Sequence, residues 1–203
     1  MSIQYDTAMI EMAKFISKFI FDQVQNHAIH PNLRNMTILM KIVEHLIRNE
    51  NVVKEVKQCL HEILPSVMTC IVCCTLSAAP QIEDHWKLRM TASELLLYIC
   101  DNFGSPVNRI RERAINVLMT AIQDETKDLS TLYGALFGLK TLGFEAIQPH
   151  KAYIESSVKQ RVEKYTVPGF VDRHRSTALR IKDLISVRLG NMVKYLRRGM
   201  REA

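Results

Sequence analysis

Apolar residues recur three and four positions apart along almost the whole chain, the spacing that puts them on one face of an α-helix. Met9, Met12, Ala13, Ile16, Phe19 and Ile20 form a first stripe, and Met36, Leu39, Met40, Val43, Leu46 and Ile47 a second. Further stripes run through Leu88, Ala92, Leu95, Leu96 and Ile99, through Ile110, Ala114, Val117, Leu118 and Ala121, and through Leu132, Ala135, Leu136 and Leu139. The two-residue alternation of a half-buried strand is missing, so the pattern predicts an all-α fold. Proline and glycine stand between the stripes, where they stop helices: His30-Pro31-Asn32, Ala79-Pro80, Asn102-Phe103-Gly104-Ser105-Pro106, Gln148-Pro149 and Val167-Pro168-Gly169. Gaps this short make consecutive helices lie antiparallel. The predicted hairpins are residues 4–48, 51–101, 107–143 and 146–190, with second helices starting near 33, 85, 130 and 170.

Those starts are 52, 45 and 40 residues apart, close to the unit of about 40–47 residues in HEAT and armadillo arrays. The expected architecture is a short HEAT-repeat α-solenoid of about four to five antiparallel hairpins, one domain over residues 1–203 without a visible linker. Residues 63–82 carry no charge and are long enough to span a bilayer. Pro65 and Pro80 near the ends, Ser66, Thr69, Thr75 and Ser77 within, and the lack of a second such run favour a buried helix instead. Pro65 removes one backbone hydrogen bond from that helix and is expected to bend it. Arg89 stands three positions before Ala92, as a basic residue does before the small alanine at the tight contact of a HEAT hairpin.

Composition narrows the class without changing it. With 47% apolar and 24% charged residues, 7 Gly and 6 Pro among 203, the chain is neither disordered nor fibrous. Five cysteines are too few and oddly numbered for a disulfide scaffold, which suits a reducing compartment. Charged residues interrupt the apolar start after Met1, so no secretory signal is read there. Charge is uneven: residues 1–160 hold 16 basic and 17 acidic side chains, residues 161–203 hold 11 and 4. The excess falls on a predicted C-terminal helix over about 170–203. There Ile181, Leu184, Ile185, Leu189, Met192 and Leu196 form an apolar stripe, with Arg180, Lys194, Arg197, Arg198 and Arg201 opposite. Such a face is either simply solvated or meets an acidic surface. A row of long cations without interleaved aromatics suits DNA phosphates rather than bases, so a DNA contact there is expected to be non-specific.

Candidate chemistry is sparse. Cys70, Cys73 and Cys74 with His85 resemble half a zinc site, but no second close ligand pair follows, so buried apolar cysteines are the expectation and no cofactor or metal is assigned. Trp86, the single tryptophan, is a candidate partner anchor or a packing group at a helix start beside Glu83 and Asp84. Gly134 and Gly138 share one helix face and let another backbone approach closely, through packing or as a groove for a partner. Seven scattered histidines and the lack of a nucleophile motif leave catalysis unsupported. A helical-repeat DNA glycosylase would need Trp86 with Asp84 or Asp101 in a basic groove.

Two blocks carry a resemblance. The stretches Pro65-Ser66-Val67-Met68-Thr69-Cys70-Ile71-Val72 and His85-Trp86-Lys87-Leu88-Arg89 form the first. The second is Tyr133-Gly134-Ala135-Leu136-Phe137-Gly138-Leu139-Lys140-Thr141-Leu142-Gly143. Both are similar to the C-terminal HEAT domain of TATA-binding-protein-associated factor subunit six of the general transcription factor TFIID. The likeness covers roughly residues 3–160 and fades beyond. Leu132 departs from the basic residue common in that family before the Tyr-Gly pair, which puts a surface contact there in doubt. The family's N-terminal histone fold is absent from these residues.

The resemblance implies a non-enzymatic, nuclear scaffold that holds TFIID subunits during assembly of the RNA polymerase II preinitiation complex. Implied partners are the largest TFIID subunit, a histone-fold partner bound through a region outside this chain, a second copy of the domain, and related coactivator complexes. Promoter DNA is a candidate non-specific contact; no membrane and no small-molecule substrate is expected. The alternative is a HEAT adaptor in transport or trafficking.

Overall fold

The computed structural model describes residues 2–78, 84–166 and 172–189. Helix α1 spans Ser2–Ile29 and α2 Leu33–Arg48. A 3-10 turn, Glu50–Val52, leads into α3 (Val53–Gln58) and α4 (Leu60–Val72). Then come α5 (His85–Phe103), α6 (Ile110–Gln123) and α7 (Leu129–Thr141). The next arm changes winding as it goes, through α8 (Phe144–Ile147), a 3-10 turn (Gln148–His150), α9 (Lys151–Tyr153), a π-helical stretch (Ile154–Val158) and α10 (Lys159–Glu163). Helix α11 (Asp172–Asp183) continues as a second π-helical stretch, Leu184–Leu189. No strand occurs among the described residues.

The second helices of the hairpins start at 33, 85, 129 and 172, within two residues of the expected positions. Asn32 caps α2 by accepting from the Asn35 N–H at 3.0 Å, and Asp128 caps α7 by accepting from Ser130 N–H at 3.4 Å. Between α5 and α6, Ser105 and Asn108 bond each other's backbone N–H groups reciprocally. The chain then passes through Arg109, in the left-handed region at φ 49°.

Helices α2, α5, α7 and α11 pack in sequence as one layer, with α1, α3–α4, α6 and α8–α10 as the other. This is the two-layer construction of a hairpin array, in which each unit buries its stripe against the next. Its core is continuous from Ile20 on α1 to Ile185 at the end of α11. Among the described residues, no helix is long and apolar enough to cross a membrane.

Several expectations need correction. Met12 and Phe19 on α1 and Val117 on α6 are exposed, although they belong to helical stripes. Ala13, Ile20 and Val24 carry the burial on α1 instead. These are outer-layer helices, covered on one side, so only a narrow part of their apolar surface finds a neighbour. The uncharged run is not a single rod: α4 ends at Val72, and Cys73, with extended backbone (ψ 135°), turns the chain away. Cys59 separates α3 from α4, and Pro65 lies in the second turn of α4. Leu132 is fully buried, so the position before the Tyr-Gly pair faces the core and supplies no surface contact.

Candidate functional site

The central joint is built where α4, α5 and α7 meet. Arg89 on α5 is fully buried. Its Nη1 donates to the Ile71 carbonyl at 2.5 Å, its Nη2 to the Cys73 carbonyl at 2.7 Å, and its Nε to His85 Nδ1 at 3.5 Å. Those carbonyls are the unpaired C-terminal acceptors of α4, the negative end of its dipole, so a buried cation there satisfies both the hydrogen bonds and the field. Burial pulls the Arg89 guanidinium down to about 10, which leaves it protonated at neutral pH.

Gly134 makes the joint sterically accessible. A Cβ on Gly134 would stand 2.0 Å from the Ile71 carbonyl oxygen and 3.0 Å from Arg89 Nη1. Only a residue without a side chain allows α7 to lie against the capped end of α4. One turn on, a Cβ at Gly138 would meet the Leu118 methyl carbons at 3.2 and 3.3 Å. Ala92, one turn after Arg89, is fully buried. Gly134 and Arg89 therefore serve one contact, although they belong to sequence blocks some forty residues apart.

The same device recurs at two other helix ends. Arg111 on α6 donates to the Leu142 carbonyl at the end of α7 (2.7 Å) and pairs with Asp101 at 2.5 Å. Arg161 on α10 donates to the Asp124 carbonyl at 3.1 Å and to the Lys127 carbonyl, closing the turn after α6. Each arginine reaches a helix end of another arm, where cations are favoured. Sequence reasoning missed Arg111 and Arg161 because a charged residue on an amphipathic helix reads as solvated; their carbonyl partners are 31 and 37 residues away.

Trp86 is half-buried at the start of α5. Its ring meets His85 at 4.0 Å and Tyr133 edge-on at 4.8 Å, and the Arg180 guanidinium lies over it at 5.3 Å. Trp86 thus ties α5 to α7 and α11. Asp84 is exposed at the N-cap of α5 and makes no side-chain cap there. Asp101 lies fifteen residues beyond Trp86 on the same helix, about 22 Å away at the helical rise. Trp86 and Asp101 therefore do not converge on a nucleotide pocket.

Cys70 is buried within α4, Cys73 is partly buried at its end and Cys74 is exposed. Among the described residues, no three His, Cys, Asp or Glu side chains converge on a metal position. Burial pushes the Cys70 thiol up to about 12 and the Cys100 thiol up to about 11, so both are neutral and poor nucleophiles at pH 7.

On α11, Ile181, Leu184 and Ile185 are buried as the stripe requires, and Arg180 is exposed on another face. Lys194, Arg197, Arg198 and Arg201 lie outside the described residues, as do Met192 and Leu196. The π-winding of Leu184–Leu189 turns the chain by less than 100° per residue.

These features define a class: a short α-solenoid whose helix ends are pinned by cations, and whose accessible chemistry lies on edges and turns. Within that class the chain belongs to the TAF6 C-terminal HEAT repeat domain family, whose model matches residues 1–150. It is 33% identical over 177 residues to transcription initiation factor TFIID subunit 6 of Drosophila melanogaster, covering 87% of this chain and 29% of that protein. It is 32% identical over 167 residues to the SAGA complex/transcription factor TFIID complex subunit Taf6 of Schizosaccharomyces pombe, covering 80% of this chain and 36% of that relative. Against transcription initiation factor TFIID subunit 6 of Arabidopsis thaliana it is 31% identical over 147 residues, with coverage of 72% and 26%. The chain thus spans roughly a quarter to a third of the length of these curated relatives.

Proposed function

We propose that this chain is the scaffold portion of a nuclear TFIID subunit, holding other subunits in place while the RNA polymerase II preinitiation complex assembles. Its work is binding and not catalysis. The observation that carries this reading is the family match over residues 1–150, which spans the whole joint of Arg89, Gly134 and the α4 carbonyls. That joint makes the array stiff, and a stiff array presents its turns and outer helix faces in fixed register to neighbours. The largest TFIID subunit and a second copy of the domain are the proposed neighbours, with a SAGA-type complex as a further setting. A histone-fold partner would bind through a region outside this chain.

Purification of the tagged full-length protein from nuclear extract tests the reading. Recovery of other TFIID subunits is the expected result, lost when the region of this chain is deleted. Recovery of cargo receptors or coat proteins in their place would sink it and favour a transport adaptor.

We further propose that the basic end meets DNA phosphates without reading sequence, through Arg180 with Lys194, Arg197, Arg198 and Arg201. Charge supports this, since residues 161–203 carry 11 basic against 4 acidic side chains. Changing Arg197, Arg198 and Arg201 to Glu should weaken duplex binding at low salt and flatten its salt dependence. Unchanged titrations at two salt concentrations would dismiss the contact.

A further inference from the structure

Helix α11 carries a feature that the scaffold reading leaves unused, around Ser176. The local sequence is Arg173-His174-Arg175-Ser176-Thr177, with cations three and one positions before a serine. Protein kinases that select basic sequences through an acidic groove read this charge pattern. Ser176 is exposed, the fifth residue of α11, whereas Thr177 and Ala178 are buried. Kinases bind the acceptor segment extended, so the first turns of α11 must open. Among the described side chains, the first buried one in this helix is Thr177. Before it, the His174 ring meets Tyr165 at 5.9 Å. Arg175 and Ser176 are both exposed.

One turn after Ser176 comes Arg180, the residue whose guanidinium covers the Trp86 ring at 5.3 Å. Positions i and i+4 are neighbours on a helix surface. A dianionic phosphate on Ser176 offers Arg180, alongside Arg173 three positions before the serine in sequence, a charge-assisted partner that is stronger than a half-exposed ring face.

We propose that Ser176 is a phosphoacceptor for an arginine-directed protein kinase, and that its phosphate draws Arg180 off Trp86. In the transfer the Ser176 Oγ bonds to the γ-phosphorus of ATP, and the bond from that phosphorus to the β–γ bridging oxygen breaks. ADP leaves, and the hydroxyl proton passes to the kinase's base. The result bares Trp86 and loosens the tie between α5 and α11, at a place that the subunit assignment does not determine.

The chain reports on this directly because Trp86 is its only tryptophan. The test treats the full chain with Mg-ATP and the catalytic subunit of an arginine-directed kinase, maps phosphate by mass spectrometry, and follows tryptophan emission and acrylamide quenching. Expected are phosphate on Ser176, a red-shifted emission and roughly twofold stronger quenching, all reversed by phosphatase. Changing Arg173 and Arg175 to Ala should slow incorporation about tenfold or more. Arg180→Ala should show the red-shifted emission before treatment and no further change after it, with circular dichroism confirming that it folds. Phosphate found only on other residues, or Trp86 emission unmoved at full Ser176 occupancy, overturns the proposal.

Discussion

Helices α7 and α11 occupy the same layer of the array and adjoin each other, yet they are held by different physics. Every residue of α7 from Leu129 to Leu139 is buried, and its contact with α4 is so close that Gly134 has no room for a methyl group. Among its described side chains, helix α11 buries Thr177, Ala178 and Ile181, and the π-helical stretch after it buries Leu184 and Ile185. The first is held by backbone approach and by a buried cation on a helix end. The second is held by an apolar edge together with the Arg180–Trp86 and His174–Tyr165 contacts. The family match ends at residue 150, between them. Close packing of this kind tolerates almost no change of volume, whereas a one-sided helix can shift without dismantling its neighbours.

The comparison can be broken most severely at Arg89. Arg89→Met keeps the volume but strips the Ile71 and Cys73 carbonyls of their donors, and should cost about 4 kcal/mol in urea denaturation. A loss under about 1 kcal/mol would mean that water replaces the guanidinium without penalty. Gly134→Ala comes next, at about 3 kcal/mol, since the new methyl must push α7 away from α4. Ile181→Ala on α11 should cost about 2 kcal/mol, at the low end for a buried aliphatic, because the helix is covered on one side and can settle. If Ile181→Ala proved costlier than Gly134→Ala, the contrast drawn between the two helices would be wrong.

The smallest expected effect is with pH. The folded-state thiols of Cys70 and Cys100 lie above the ordinary value of 9.0, at about 12 and about 11, because burial resists the thiolate. Their contribution is complete below pH 9 and is lost as pH rises through those folded values, since the unfolded chain ionises first. Arg89 acts oppositely: its value falls from 12.5 to about 10, so losing its proton favours the folded state between those limits. Below about pH 10 these thiols act in the same direction as Cys73, which burial also raises, and the urea midpoint should decline modestly between about pH 8 and 9.5. Changing Cys70 and Cys100 to Ala should flatten that decline; an equally steep one would assign it elsewhere.

Much of the architecture was written in local signals. The helical stripes, the Asn32 and Asp128 caps and the proline-marked turns depend on residues within a few positions of one another, so the four second-helix starts fall within two residues of where the pattern puts them. The blocks around Arg89 and Gly134 also marked the family. What the sequence could not express is which face of a one-sided helix finds a neighbour, so Met12, Phe19 and Val117 are exposed despite their spacing. It could not express that Arg89, Arg111 and Arg161 are spent on helix ends 16 to 37 residues away. Nor could it show that Gly134 serves the Ile71 carbonyl, or that Arg180 rests on Trp86. Periodicity, capping and turn chemistry act over one or two helical turns and survive in a one-dimensional reading. A hydrogen bond from one helix to the end of another is set by how whole rods pack, and only the folded chain brings its two ends together.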